Sequence, residues 1–230
     1  MIFLIFIGSI VNAIGVIIGG SIGFFLHKNL PSNIKNIVFN GLGLATLFLG
    51  ISMAMKNTNF LILIFSILLG GIAGELLKID RFLNSLGNKL KKISGSKNDD
   101  FTEGLIAAFL LFCMGSMTII GSINAGINGN NELLFAKSLM DFFASIAFAS
   151  TYGIGVIFSF IPLLLFQGSL TYFAFFFQDS FSNLIINNLT AVGGIIIMGL
   201  GFNLLKLKKI KVANFLPSLV IVIILTLIFL

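Results

Sequence analysis

Lys137 and Asp141 are the only charged residues between positions 134 and 151. Four residues apart on a helix they share a face, and pairing there lowers the desolvation cost that each would meet alone. Ionisable groups at membrane depth are expensive to keep and tend to carry function; a carboxylate in that position can coordinate a cation or carry a proton. The same spacing also fits a structural pair near the outer interface, with Lys137 reaching outward to water. Ser138 and Ser145 lie beside the pair. Uncharged amides stand at Asn12, Asn124, Gln167 and Asn203, inside or at the margins of other apolar runs. Each needs hydrogen-bond partners, so each faces protein or a wet cavity rather than lipid. With Asp141 they define a candidate polar pathway, and individually each is equally readable as glue between helices. Glu75 closes another run, with Lys78 as the neighbouring cation.

Other chemistries lack their residues. His27 and Cys113 are each the single member of their type, which removes HExxH-type metal binding, CxxC sites and an intramolecular disulfide. No strand-turn-helix GxSxG, no GxxxxGK[ST] and no acids at catalytic spacing occur, so neither catalysis nor a cofactor is expected. The residue types leave the identity of any metal open.

The elements that hold these side chains follow from composition. Of 230 residues, 57% are hydrophobic and 10% charged, with a mean hydropathy of +1.11. A soluble domain carries about a quarter charged residues, so the chain reads as an all-α, polytopic membrane bundle forming one transmembrane domain. Apolar runs cover about 2–26, 36–55, 60–77, 103–123, 134–151, 154–177, 187–205 and 213–230. Runs of about 20 residues mean helices, because lipid offers no partner for backbone groups. The first run starts at the N-terminus without a basic leader and is expected to remain as an uncleaved helix. Gly153 and Gly155 break the fifth and sixth runs only weakly, but the length of 134–177 fits two crossings.

The net charge of +6 is a membrane signal rather than a nucleic-acid one, because the cations sit between apolar runs. Lys78, Arg81, Lys89, Lys91, Lys92 and Lys97 fall in one loop, and Lys206, Lys208, Lys209 and Lys211 in another. Placing both inside requires an even number of helices between them. Eight spans satisfy this, bring Lys28 and Lys35 to the same side, and leave only Lys56 and Lys137 for the outer one. Both chain ends are then outside, and the expected location is a bacterial cytoplasmic (inner) membrane. Within 78–101, Ile79, Phe82, Leu83 and Leu86 recur at three-and-four spacing opposite a basic face, which predicts an amphipathic helix on the inner leaflet.

The segment 41–56 echoes 191–206 in its glycines, a methionine and a terminal lysine. Asn59-Phe60-Leu61 and Asn214-Phe215-Leu216 then open the following runs. With opposite orientations, these two-helix units form a candidate inverted internal repeat. A second echo, Gly8-Ser9-Ile10 with Asn12-Ala13 against Gly121-Ser122-Ile123-Asn124-Ala125, is too short to carry an argument. Gly15, Gly19 and Gly23 share one helix face, as small residues do where helices approach closely. Gly193, Gly194, Gly199 and Gly201 supply small residues for such contacts in the seventh run. Packing inside the bundle is the plainer reading, and a homo-oligomer face the alternative.

Several stretches carry a family resemblance: GSIVNAIGVIIGG (8–20), LLGGIAGELL (68–77), FTEG (101–104), LLFCMGSMTIIGSINAGING (110–129), LLFAKSLMDFFASIAFAS (133–150), GIGVIFSFIPLLLFQGSL (153–170) and AVGGIIIMGLGFNLLKLKKIKVANFLP (191–217). In order and over essentially the whole chain, they resemble the bacterial membrane family known as domain of unknown function 554. The resemblance implies an inner-membrane protein suspected of transport and supplies no catalytic residues. The residues point to a small-solute or ion permease around Asp141. The rival is a membrane scaffold that binds anionic lipid or a partner through the 78–101 segment.

Overall fold

The computed structural model describes residues 5–27, 31–176 and 182–229. Residues 2–4, 177 and 230 of the apolar runs, both chain ends and Lys28 lie outside the described residues. Those described are helical, with no strand among them. The elements are α1 (Ile7–His27), α2 (Ser32–Ala54), α3 (Phe60–Leu76), α4 (Ile79–Ile93), α5 (Phe101–Met114), α6 (Ser116–Asn128) and α7 (Glu132–Tyr152). A 3-10 segment (Gly153–Ser159), α8 (Phe160–Phe176), α9 (Asn183–Leu204), a 3-10 turn (Val212–Phe215) and α10 (Ser218–Phe229) complete the order. Among the described residues four helical stretches are long and apolar enough to cross a membrane, or six if each bent pair is one span. The molecule is therefore an integral membrane protein.

The 132–176 stretch is unbroken over 45 residues, yet it contains two antiparallel helices. Its chain reverses within the 3-10 segment, which Gly153 opens at a φ of +79°, a conformation that costs glycine nothing. The packing against α1 shows the reversal. Gly15, Gly19 and Gly23 meet Ser138, Phe142 and Ile146, so α7 runs parallel to α1. Gly20 then meets Ile157, and Gly168 lies against Phe6, so α8 runs back the other way. With that split, and with the shorter apolar helix within α2 (Asn40–Ala54) added, the helices are compatible with eight runs. One run differs from expectation: 103–123 is bent by 60° between α5 and α6. The break follows Met114-Gly115, where glycine is a weak helix former, and the Thr118 hydroxyl donates to the Phe112 carbonyl at 2.7 Å.

The chain divides into two compact units. The first comprises residues 1–38, 86–113 and 117–180; the second comprises 39–85, 114–116 and 181–230. In the first, α1 touches α7 and α8, and so do α5 and α6. Gly104 meets Tyr152, the Phe112 and Phe148 rings lie 6.4 Å apart, Gly121 meets Leu134 and Gly126 meets Thr171. These four columns close a ring around one interior, with α1 and α6 on opposite corners.

In the second unit, α2 and α9 pack antiparallel. Gly43 meets Leu205, Leu47 meets Gly201, and Gly50 meets Met198 and Gly194. Helices α3 and α10 are antiparallel too, with Gly70 on Ser218. Leu49 and Gly199, equivalent positions of the sequence repeat, fall at the centre of the α2–α9 pairing.

The segment predicted to be amphipathic forms α4, bent 57° from α3. Lys78 at the bend has a φ of +56°. Phe82 and Ile93 are exposed, Leu83 and Leu86 half-buried, and Gly87 buried against the Thr102 methyl. Gly95, at a φ of +63°, ends it.

Candidate functional site

Helix geometry puts Lys137 and Asp141 on one face of α7, and α7 turns that face to the interior of the first unit. Lys137 is 6% exposed and Asp141 3%. The Lys137 ammonium bonds Asp141 Oδ1 and lies 5.7 Å from the centre of the Phe112 ring, a favourable place for a desolvated cation. It does not reach outward, as the structural alternative for this pair supposed. The other carboxylate oxygen, Oδ2, accepts from Asn12 Nδ2 at 3.0 Å. Both oxygens of the buried acid are thus engaged, which a charge at this depth requires.

Asn12 arrives from α1 because the glycine face lets that helix come close. A Cβ on Gly19 or Gly23 would strike the carbonyl oxygens of Phe142 or Ile146, and one on Gly15 would sit 3.1 Å from the Ser138 carbonyl. The stripe is spent on α1–α7 contact within the unit. Gly194 is used similarly in the second unit, 2.6 Å from the Gly50 carbonyl oxygen and the Ala54 nitrogen as measured from a built Cβ. Gly193 is buried beside it.

The remaining candidates divide. Ser138 is 5% exposed, and its hydroxyl is spent on the Leu134 carbonyl at 2.6 Å. Ser145 similarly bonds the Phe142 carbonyl. Gln167 is fully buried in α8, and neither end of its amide has a hydrogen-bond partner. Asn124 is half-buried on α6. Asn203 belongs elsewhere, in the second unit. Its amide holds the Ile210 N–H at 2.7 Å and the Ile210 carbonyl at 2.8 Å, bracing the turn after α9. Glu75 also departs from expectation, because its cation is Lys211 at 2.8 Å rather than Lys78. Asn214 Nδ2 adds a bond of 2.6 Å.

Residues not singled out as candidates complete the first unit's interior. Ser9, Ser122 and Thr171 are at most 1% exposed, and their hydroxyls lack partners, as does Asn12 Oδ1. The second echo was the available signal: Gly8 and Gly121, the first residues of its two copies, both pack on Leu134. That shared contact brings Ser9 and Ser122 to the same level on opposite corners.

The second unit offers less chemistry. Its groove, of about 230 Å³ and lined by residues such as Ile67, Met198, Phe202 and Phe215, exposes almost no polar atom. Its buried network joins Asn188 to Thr58 at 2.6 Å and to Thr226 at 3.2 Å, tying α9 to the start of α3 and to α10. No cluster of three metal-binding side chains occurs among the described residues.

Comparison with known proteins agrees with the membrane architecture. The chain is 34% identical over 218 residues to "Uncharacterized membrane protein YdfK" of Bacillus subtilis (strain 168), covering 93% of each chain. It is 31% identical over 220 residues to "Uncharacterized protein YqgA" of Escherichia coli (strain K12), covering 94% of each. No solved structure matches it. The family model described as "Protein of unknown function (DUF554)" matches residues 7–227. Membrane-crossing helices, matching relatives and a family match along nearly the entire length place this chain in the DUF554 family.

Proposed function

We propose that the protein is a permease of the bacterial cytoplasmic membrane that moves a small solute or ion through the interior of its first unit. One observation carries the reading: the Lys137–Asp141–Asn12 network is buried inside a ring of helices instead of facing water or lipid. Membrane helices retain a charged pair at such depth chiefly where a path for polar cargo runs. Asp141 acts as the switchable element. Its bond to Lys137 tightens or loosens as the polar cargo passes, and Asn12 couples the change to the neighbouring helix. The lysine-dense segments 78–101 and 206–212 face the cytoplasm and both chain ends lie outside. No catalytic role is assigned.

Flux into reconstituted vesicles tests this. Sodium, potassium and proton gradients are followed with dyes, and small neutral solutes by swelling. Wild type is expected to move at least one of these well above protein-free vesicles, and folded Asp141→Asn to lose most of that rate. A folded variant with unchanged flux, or wild type with none, overturns the reading.

The scaffold alternative draws on α4, where exposed Phe82 and Ile93 accompany Lys89, Lys91 and Lys92. Such a face suits anionic headgroups. Replacing those three lysines with glutamine separates the two: a scaffold loses its partner, whereas a permease keeps its flux.

A further inference from the structure

Buried polar groups in proteins are almost always hydrogen-bonded, and an unpaired one costs about 1–3 kcal/mol. The first unit concentrates exceptions. Ser9 Oγ and Asn12 Oδ1 on α1, Ser122 Oγ on α6, and Thr171 Oγ1 with both ends of the Gln167 amide on α8 all lack partners, and each residue is at most 1% exposed. Three of the four columns of the ring contribute.

Helix register brings Ser9, Ser122 and Gln167 to one level, with Asn12 about a turn to one side of it and Thr171 about a turn to the other. Gly8 and Gly121 both lie on Leu134, which aligns the serines that follow them. Gly168 against Phe6 sets Gln167 beside the Ser9 turn, and Gly126 against Thr171 sets Ser122 one turn away, facing the Gln167 turn. Asn12 lies one turn further along α1 from Ser9. Inward-facing side chains at one level of a four-column bundle converge on its axis.

The chemistry of the set selects its occupant. Five of the six unpaired atoms are oxygens, and all are neutral. Both oxygens of the nearby carboxylate are already engaged by Lys137 and Asn12. Divalent ions need carboxylates to offset their dehydration, and transition metals favour nitrogen or sulfur ligands. An anion needs a free positive charge, and the Lys137 charge is matched. Neutral oxygens replacing a hydration shell suit a monovalent cation. Asn12 adds a direction: its Nδ2 donates to the carboxylate, so its amide dipole points the negative Oδ1 end away from Asp141, polarised by that charge.

We infer that Ser9, Ser122 and Gln167, flanked by Asn12 on one side and Thr171 on the other, form a binding site for one partly dehydrated alkali-metal cation. Asp141 reads the occupancy through Asn12, without being a ligand itself. As the substrate class of the permease the inference rests on the reading above; as a binding site it is measured without transport.

The test uses full-length protein in nanodiscs and equilibrium binding of ²²Na⁺ and ⁸⁶Rb⁺, with choline holding the ionic strength. Saturable binding of one of the two ions is expected, and Gln167→Leu should weaken it by about tenfold or more, the scale for losing part of a coordination shell. Ser122→Ala, a smaller change, is expected to weaken it as well and guards against misfolding of the first variant. Calcium at equal ionic strength should not compete. Absence of saturable binding to folded wild type overturns the site in favour of buried water, and so does wild-type affinity in both variants. Flux measured on the same preparations separates the two ideas: binding without flux leaves the site and removes the permease, whereas flux of a neutral solute without ion binding does the reverse.

Discussion

The buried ion pair of the first unit and the Glu75 pair of the second live by different rules. In the first, Lys137 and Asp141 are one turn apart on a single helix, with side chains only 8% and 4% exposed. In the second, Glu75 at the end of α3 meets Lys211, 136 residues away, and both side chains are more than half exposed. A pair open to solvent contributes little, because water and salt screen it and ordering two long side chains opposes it. A buried pair is costly to assemble and costlier to halve, since losing one partner strands the other charge. The difference teaches where conservation of charge matters for folding, and it separates a site able to respond to an ion from a tether between surface segments.

Breaking the buried pair should give the largest effect. Lys137→Ala strands Asp141 and is expected to cost about 3–5 kcal/mol, read as a marked fall in the thermal midpoint in detergent. The double variant Lys137→Met with Asp141→Leu should recover most of it; no recovery would show that the contacts of Lys137 with Phe112 and α7 dominate over charge.

Next comes the helix contact that delivers Asn12. Gly19→Leu drives a side chain into the Phe142 backbone and should cost about 1–3 kcal/mol, the range for overpacking, while separating Asn12 from Asp141. Gly201→Ala in the second unit is milder, because the atoms met first are the flexible end of Leu47. Its penalty should be clearly below that of Gly19→Leu, and equal midpoints would mean the two glycine contacts are equally rigid. Smallest of all, Lys211→Met should leave the midpoint within error of wild type at 0.15 M salt. A large drop there would place the Glu75 pair in the same class as the buried one.

Much of this was legible in the sequence because it is local. The i, i+4 spacing of Lys137 and Asp141 fixed their shared face, and the spacing of Gly15, Gly19 and Gly23 marked a close contact. The lengths of the apolar runs implied two crossings within 134–177. What the sequence did not reveal depends on distant partners. Nothing beside Glu75 points to Lys211, and the adjacent Lys78 is the natural guess until the chain is folded. Asn203 reads as an intramembrane amide, yet it closes a turn onto Ile210, seven positions on. The polar layer was hidden for a related reason: Ser9, Ser122 and Thr171 are ordinary small residues of apolar helices, and only the register of three helices assembles them. The bend between α5 and α6 was missed because Gly115 alone is a weak break in an otherwise continuous apolar run.

The parallel contact of α1 with α7 also has a consequence for biogenesis. Asn12 is synthesised 129 residues ahead of Asp141. At about 5–20 residues per second, the first helix waits roughly 6–26 seconds for the strip of backbone it will lie against. During that interval its glycine groove and amide need a temporary host, so nascent α1 should linger beside the insertion machinery instead of diffusing into the lipid.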